Sequence, residues 1–136
     1  MTLTARTVSD ILTQAGIKPS AQRIAVMRYL LTHHTHPTVD EIYRDLLPEY
    51  PALSRTTVYN TVRLLVESGC VNHIGIDSAN SRFDGATHPH AHFICQRCGA
   101  IHDVELTLLP QPPHGLSVND TQVYFRGVCQ NCQTTN

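Results

Sequence analysis

Apolar positions in the first half of the chain recur with the spacing of helices. Val8, Leu12 and Ala15 lie three to four residues apart, and Gly16 follows as a left-handed helix stop would. A second helix is expected from Ser20 to about His33, with Ile24, Met27, Leu30 and Leu31 on its buried face. Thr38 then precedes Glu41 by three residues, the signature of a capping box, and predicts a short helix through Leu47 that Pro48 and Pro51 end. Ser54 caps a fourth helix that runs through Glu67 to Gly69. Its apolar positions Val58, Val62 and Leu65 face inward, and Arg55, Thr56, Tyr59, Asn60 and Arg63 are left outside.

From residue 70 the pattern shortens to strands. Segments 70–76 and 82–84 around the turn DSANS predict a hairpin, and helices followed by a hairpin describe a winged helix-turn-helix. Beyond Asp84, short strands are expected at 92–95, 100–105 and 121–129. The segment LTLLPQPPHGLSVND lies between the last two, where Pro110, Pro112 and Pro113 rule out a regular helix. The expected fold class is therefore α+β: a winged helix-turn-helix domain over 1–84, then a smaller α/β or mainly-β domain over 85–136.

Composition narrows the function classes. A hydrophobic share of 41% is that of an ordinary globular chain, no run is long enough to span a membrane, and residues 1–10 lack the apolar core of a signal peptide. A cytoplasmic protein is expected, in which five cysteines are not a disulfide framework. Residues 1–83 carry eight Lys or Arg against seven Asp or Glu, and 84–136 carry two against four. With so mild an asymmetry, binding to nucleic acid would depend on a few placed side chains, not on bulk charge.

Cysteine spacing carries the strongest chemical signal. CQRC and CQNC are separated by thirty residues. Two such pairs supply Cys95, Cys98, Cys129 and Cys132 as the closed tetrahedral thiolate set that zinc prefers, with no open position for catalysis. A thiol oxidoreductase would place one pair at the start of a helix, where the dipole lowers a thiolate pKa. Here both pairs are expected to flank strands, so structural Zn2+ is the reading, stapling a domain too small to be stable by burial alone. Cys70, after Gly69, reads as a buried apolar residue.

A second donor set is built from imidazole and carboxylate: His36, Asp84, His90, His92 and Asp103. In HAH the two rings share one strand face, because side chains alternate with period two. Nitrogen and oxygen donors without thiolate lean toward iron or manganese, with zinc also compatible. His102 alternates to the other face and is expected in solvent. His33, His34, His73, His88 and His114 have no assigned role.

Taken in order, GIKPSAQR, HPTVDEIY, SRTTVYNTVRLLVESG, SRFD, HAHFICQRCGAIHD and YFRGVCQNC carry a resemblance over nearly the whole chain. The sequence resembles the Fur (ferric uptake regulator) family, most closely its peroxide-sensing PerR branch. The resemblance implies a homodimeric, metal-dependent repressor of transcription, not an enzyme, that binds a double-stranded DNA operator and has no membrane partner. It further implies a C-terminal dimerisation domain, a structural zinc and a regulatory Fe2+ or Mn2+ between the domains. By the branch's motifs the regulatory ligands are His36, Asp84, His90, His92 and Asp103, and the histidines oxidised by peroxide are His36 and His90. Aspartate at 84 departs from the cysteine usual in zinc-uptake regulators, and aspartate at 103 from the glutamate usual in iron-uptake regulators. A third metal site of some members needs donors where this chain has Pro89 and Ala91.

For DNA, Tyr59 is placed to pack on thymine methyls, with Arg55, Asn60 and Arg63 from the same helix face. Thr56 and Thr57, near the helix start, are expected to hold phosphates instead, and Lys18 matches a basic residue that reaches the minor groove in some members. The chain departs from the family around Pro110 to Pro113, where a helix is usual, so dimerisation is expected to rest on the strands. The alternatives are an iron-, manganese- or zinc-responsive uptake regulator of the same family and, from another class, a zinc-stapled protein-interaction adaptor.

Overall fold

A computed structural model describes residues 4–75, 80–85, 90–108 and 110–134. The chain divides into two compact units, Met1–Thr87 and His88–Asn136.

Four helices and a two-stranded hairpin form the first unit: α1 (Ala5–Gln14), α2 (Ala21–Thr32), α3 (Val39–Leu46), α4 (Arg55–Glu67), β1 (Asn72–Ile74) and β2 (Arg82–Asp84). Each helix starts at a hydroxyl cap, Thr4, Ser20, Thr38 or Ser54, whose side chain accepts the N–H three residues on. Gly16 and Gly69, each with φ of 80°, end α1 and α4 in the left-handed region where a side chain would be strained. α2 is central and packs on α1, α3, α4 and β2. For that reason its buried set, Ala25, Val26, Met27, Tyr29 and Leu30, is wider than one stripe, and Ile24 and Leu31, expected inside, are only half-buried. Val58, Val62 and Leu65 face the core as their spacing requires. The hairpin is antiparallel, with Asn72 opposite Asp84 and Ile74 opposite Arg82. β1 is shorter than expected, and Ile76 and most of the predicted turn lie outside the described residues.

In the second unit, β3 (Ala91–Cys95) is the middle strand of a three-stranded sheet ordered β4-β3-β5, with β4 (Ile101–Val104) antiparallel and β5 (Tyr124–Gly127) parallel to it. Because β4 has already brought the chain back to the end of the sheet where β5 begins, the segment after it needs no helix to make the parallel connection. Residues 105–123 contain no helix or strand among those described, as the prolines dictate. One element was not expected: a short helix, α5 (Gln130–Thr134), follows Cys129 directly. The expectation that both cysteine pairs flank strands is thus corrected, since the second bridges the end of the sheet and the first turn of a helix. The two units together make an α+β chain with a winged-helix first unit.

Candidate metal centres and nucleic-acid face

The thiolate site grows out of the end of β3. Cys95, the last residue of that strand, is buried, and its sulfur accepts the N–H of Cys98 at 3.5 Å and the N–H of Cys129 at 3.3 Å. Gly99, with φ of 76°, closes the first turn, and Gln96 N–H donates to the Gly127 carbonyl at 2.7 Å, holding the two cysteine turns side by side. Arg97 adds a hydrogen bond from Nη1 to the Cys132 carbonyl at 3.0 Å. The four sulfurs lie within 4.8 Å of one another, and Cys98 and Cys129 are 3.8 Å apart. A tetrahedron with Zn–S bonds of about 2.3 Å has edges of about 3.8 Å, so the spacing fits zinc.

Electrostatics agree. The backbone N–H groups of Cys98 and then Cys129 pull the Cys95 thiol down to about 5, whereas hydrogen bonding among the sulfurs, with Cys129 first, pushes Cys132 up to about 12. Four thiols this close cannot all ionise by themselves, and a dication at their centre removes that penalty. The site fits structural Zn2+.

Nitrogen and oxygen donors form two further sets, one in each unit. In the first unit His36 and Asp84 are 2% and 3% exposed, with His36 Nε2 3.8 Å from Asp84 Oδ2. That distance is too long for a hydrogen bond and short enough for two ligands of one ion with bonds of about 2.0–2.2 Å. His36 has φ of 56°, the sole non-glycine residue with positive φ among those described. In the second unit His92 and Asp103 face each other across β3 and β4, so both project from one sheet face. Asp103 Oδ1 is 3.5 Å from Nε2 of both His90 and His92, and the two rings are 4.4 Å apart edge-on. His102 is exposed on the opposite face beside Phe93, as alternation requires. Imidazole and carboxylate donors of this kind fit Fe2+ or Mn2+. His88 and Pro89 lie outside the described residues.

The outer face of α4 presents Tyr59, which is 57% exposed, with Thr56, Asn60 and Arg63 also in solvent. Arg55 is exposed but engaged: its Nε is 3.0 Å from Asp40 Oδ1 and its guanidinium lies over the Tyr43 ring at 5.3 Å. Thr57 is half-buried, and its N–H is already taken by Ser54 Oγ at 3.1 Å. Lys18 is exposed at the rim of a cavity of about 430 Å³ that Ser20, Arg23, Thr57 and Asn60 also line. Arg82 was not singled out by sequence, although it stands in SRFD two residues before Asp84; its guanidinium donates to the His36 carbonyl at 3.1 Å.

A helical unit ending in a hairpin, a four-thiolate staple and nitrogen–oxygen donor sets together define a metal-dependent regulator of transcription. The model of the ferric uptake regulator family matches residues 14–123. The peroxide-responsive repressor PerR of Staphylococcus aureus is 41% identical over 128 residues, covering 90% of this chain and 86% of that protein. Among solved structures, PerR from Streptococcus pyogenes is 28% identical, with a TM-score of 0.55 over 95% of this chain and 92% of that one. The Helicobacter pylori ferric uptake regulator Fur superposes with a TM-score of 0.75 at 19% identity, covering 98% of this chain and 96% of that one, and shows the shared fold. This chain belongs to the ferric uptake regulator family.

Proposed function

We propose that this chain is a DNA-binding transcriptional repressor that requires a regulatory metal and senses peroxide through it, acting in the cytoplasm and not as an enzyme. In this reading residues 1–84 form the DNA-binding domain and 85–136 the dimerisation and metal-binding domain. His36, Asp84, His90, His92 and Asp103 hold one regulatory ion. The observation that carries it is the donor chemistry: both sets are built from imidazole and carboxylate alone, with aspartate at 84 and at 103. The 41% identity with a peroxide-responsive repressor supports the same branch.

Each group of residues has a part. The four cysteines hold the second unit in shape. Because His36 and Asp84 belong to one unit and His90, His92 and Asp103 to the other, an ion shared by all five would favour one angle between the units. In a homodimer that angle sets the separation of the two α4 helices, which must match major grooves about 34 Å apart. Tyr59, Asn60 and Arg63 meet base edges, Lys18 and Thr56 meet the backbone or the minor groove, and Arg55 and Thr57 serve only if they leave their present partners. The exposed apolar side chains Leu108, Leu116, Val118 and Phe125 all lie in the second unit, where a partner chain would cover them. Bound Fe2+ would supply the peroxide chemistry that oxidises His36 or His90, whereas Mn2+ would support repression without it.

The test is operator binding by the zinc-loaded chain with Mn2+ or Fe2+, before and after peroxide, with mass spectrometry of the products. Expected are metal-dependent binding in both forms, loss in the Fe2+ form alone, and a gain of one oxygen on a peptide holding His36 or His90. Unmodified peptides with unchanged binding would refute peroxide sensing and leave an iron-, manganese- or zinc-responsive regulator. DNA binding indifferent to metal would leave a zinc-stapled adaptor.

A further inference from the structure

The geometry points to Arg82 as a positioning residue for the regulatory metal: its guanidinium fixes the strained backbone of His36 so that the imidazole meets Asp84. The inference rests on the reading that His36 and Asp84 are ligands. A residue before a proline has a restricted backbone, and a positive φ is uncommon in any residue but glycine. His36 precedes Pro37 and has φ of 56°. Such a conformation persists only where its surroundings over-determine it.

The hairpin provides those surroundings. Arg82 Nη1 donates to the His36 carbonyl at 3.1 Å, and one residue on, the Phe83 N–H donates to the Pro37 carbonyl, also at 3.1 Å. Two successive carbonyls of the loop are therefore pinned by two successive residues of β2, and the third residue of that strand is Asp84 itself. Arg82 is in turn oriented by Glu41 on α3, whose Oε1 is 3.8 Å from Nη1, and it is mostly shielded from solvent. On the far side of Asp84 the chain is equally confined: a Cβ at Gly85 would come within 2.6 Å of the Leu30 carbonyl oxygen in α2. Contacts of this kind, one step removed from the ion, tune ligand orientation and metal affinity.

Mn2+ affinity of the zinc-loaded full chain tests this, with EPR reading both occupancy and imidazole nitrogen couplings. Arg82→Met should weaken Mn2+ binding about 10–100-fold, the range for loss of a ligand's supporting partner. It should also lower the nitrogen coupling from one imidazole while the zinc content and unfolding temperature stay near those of the parent. Arg82→Lys, which keeps a donor, should recover part of the loss, and Glu41→Gln should show a smaller loss in the same direction. If Arg82→Met does not fold, the lysine and Glu41 variants decide. Parent-like affinity and couplings in the folded Arg82 and Glu41 variants overturn the proposal, provided His36→Ala loses the ion. If the parent chain does not bind Mn2+, or His36→Ala binds it normally, the ligand assignment fails instead.

Discussion

The two units are held together by different physics. In the first, Val8, Leu12, Val26, Leu30, Ile42, Val58, Val62 and Leu65 are shielded from solvent in one continuous apolar cluster, and the helices need no metal to pack. In the second, only Ala91, His92 and Cys95 are buried among the described residues, and residues 111–122 are exposed throughout. A sheet of strands four to five residues long cannot bury enough apolar surface to offset its conformational entropy. The four-sulfur knot takes the place of a core. The nitrogen–oxygen donor sets are thus mounted on one element supported by packing and one supported by ligation, and the two should respond to different insults.

Zinc removal should separate the two units most strongly. Structural zinc in small domains is associated with apparent binding free energies on the order of 10–16 kcal/mol. Chelation, or Cys95→Ser, should abolish hydrogen-exchange protection across β3, β4 and β5 and leave α1 to α4 protected. Uniform loss across both units would show that they are one cooperative body. The reciprocal perturbation is Leu30→Ala in α2, which should destabilise the first unit by about 2–5 kcal/mol as a cavity opens. Zinc stoichiometry should remain one per chain, and a fall in bound zinc would contradict the division.

Smaller effects are expected within the first unit. Ser54→Ala removes the hydroxyl that accepts the Thr57 N–H and should cost about 1 kcal/mol by denaturant unfolding, without moving the zinc-dependent transition. The smallest expected effect concerns Tyr29, whose hydroxyl donates to Asp45 at 2.6 Å and joins α2 to α3. That hydrogen bond, ahead of other causes, holds the Asp45 carboxyl below its ordinary range. A depressed carboxylate pKa adds stability that is present above the unfolded value of about 3.9 and is lost as pH falls through the folded one. Asp45→Asn should therefore flatten the acid limb of the first unit's stability profile and leave its stability near pH 7 only slightly lower, since the carboxylate is half in solvent.

Much of the local structure was legible because its causes are local. The caps Ser20, Thr38 and Ser54, the stops Gly16 and Gly69 and the inward positions of α4 depend on residues within one or two turns, and a linear pattern records them. The two C-x-x-C turns are equally local, so the thiolate set is legible from spacing alone. Harder to read were the breadth of α2's buried face, which depends on four neighbours, and α5, too short for periodicity to mark. The share of Arg55 taken by Asp40 and Tyr43 likewise depends on a neighbouring helix.

Which donors exist and which strand face they use is written in the linear chain: HAH places both rings together, and alternation sends His102 the other way. That Asp103 stands opposite His92 is set by folding, since register arises from pairing between strands. Folding alone, too, brings His36 beside Asp84, forty-eight positions later in the chain, with Arg82 hydrogen-bonded to the His36 carbonyl. A positive φ before a proline is uncommon and needs a cause beyond the neighbouring residues. The hairpin that closes over the loop supplies one, and no window along the chain spans both.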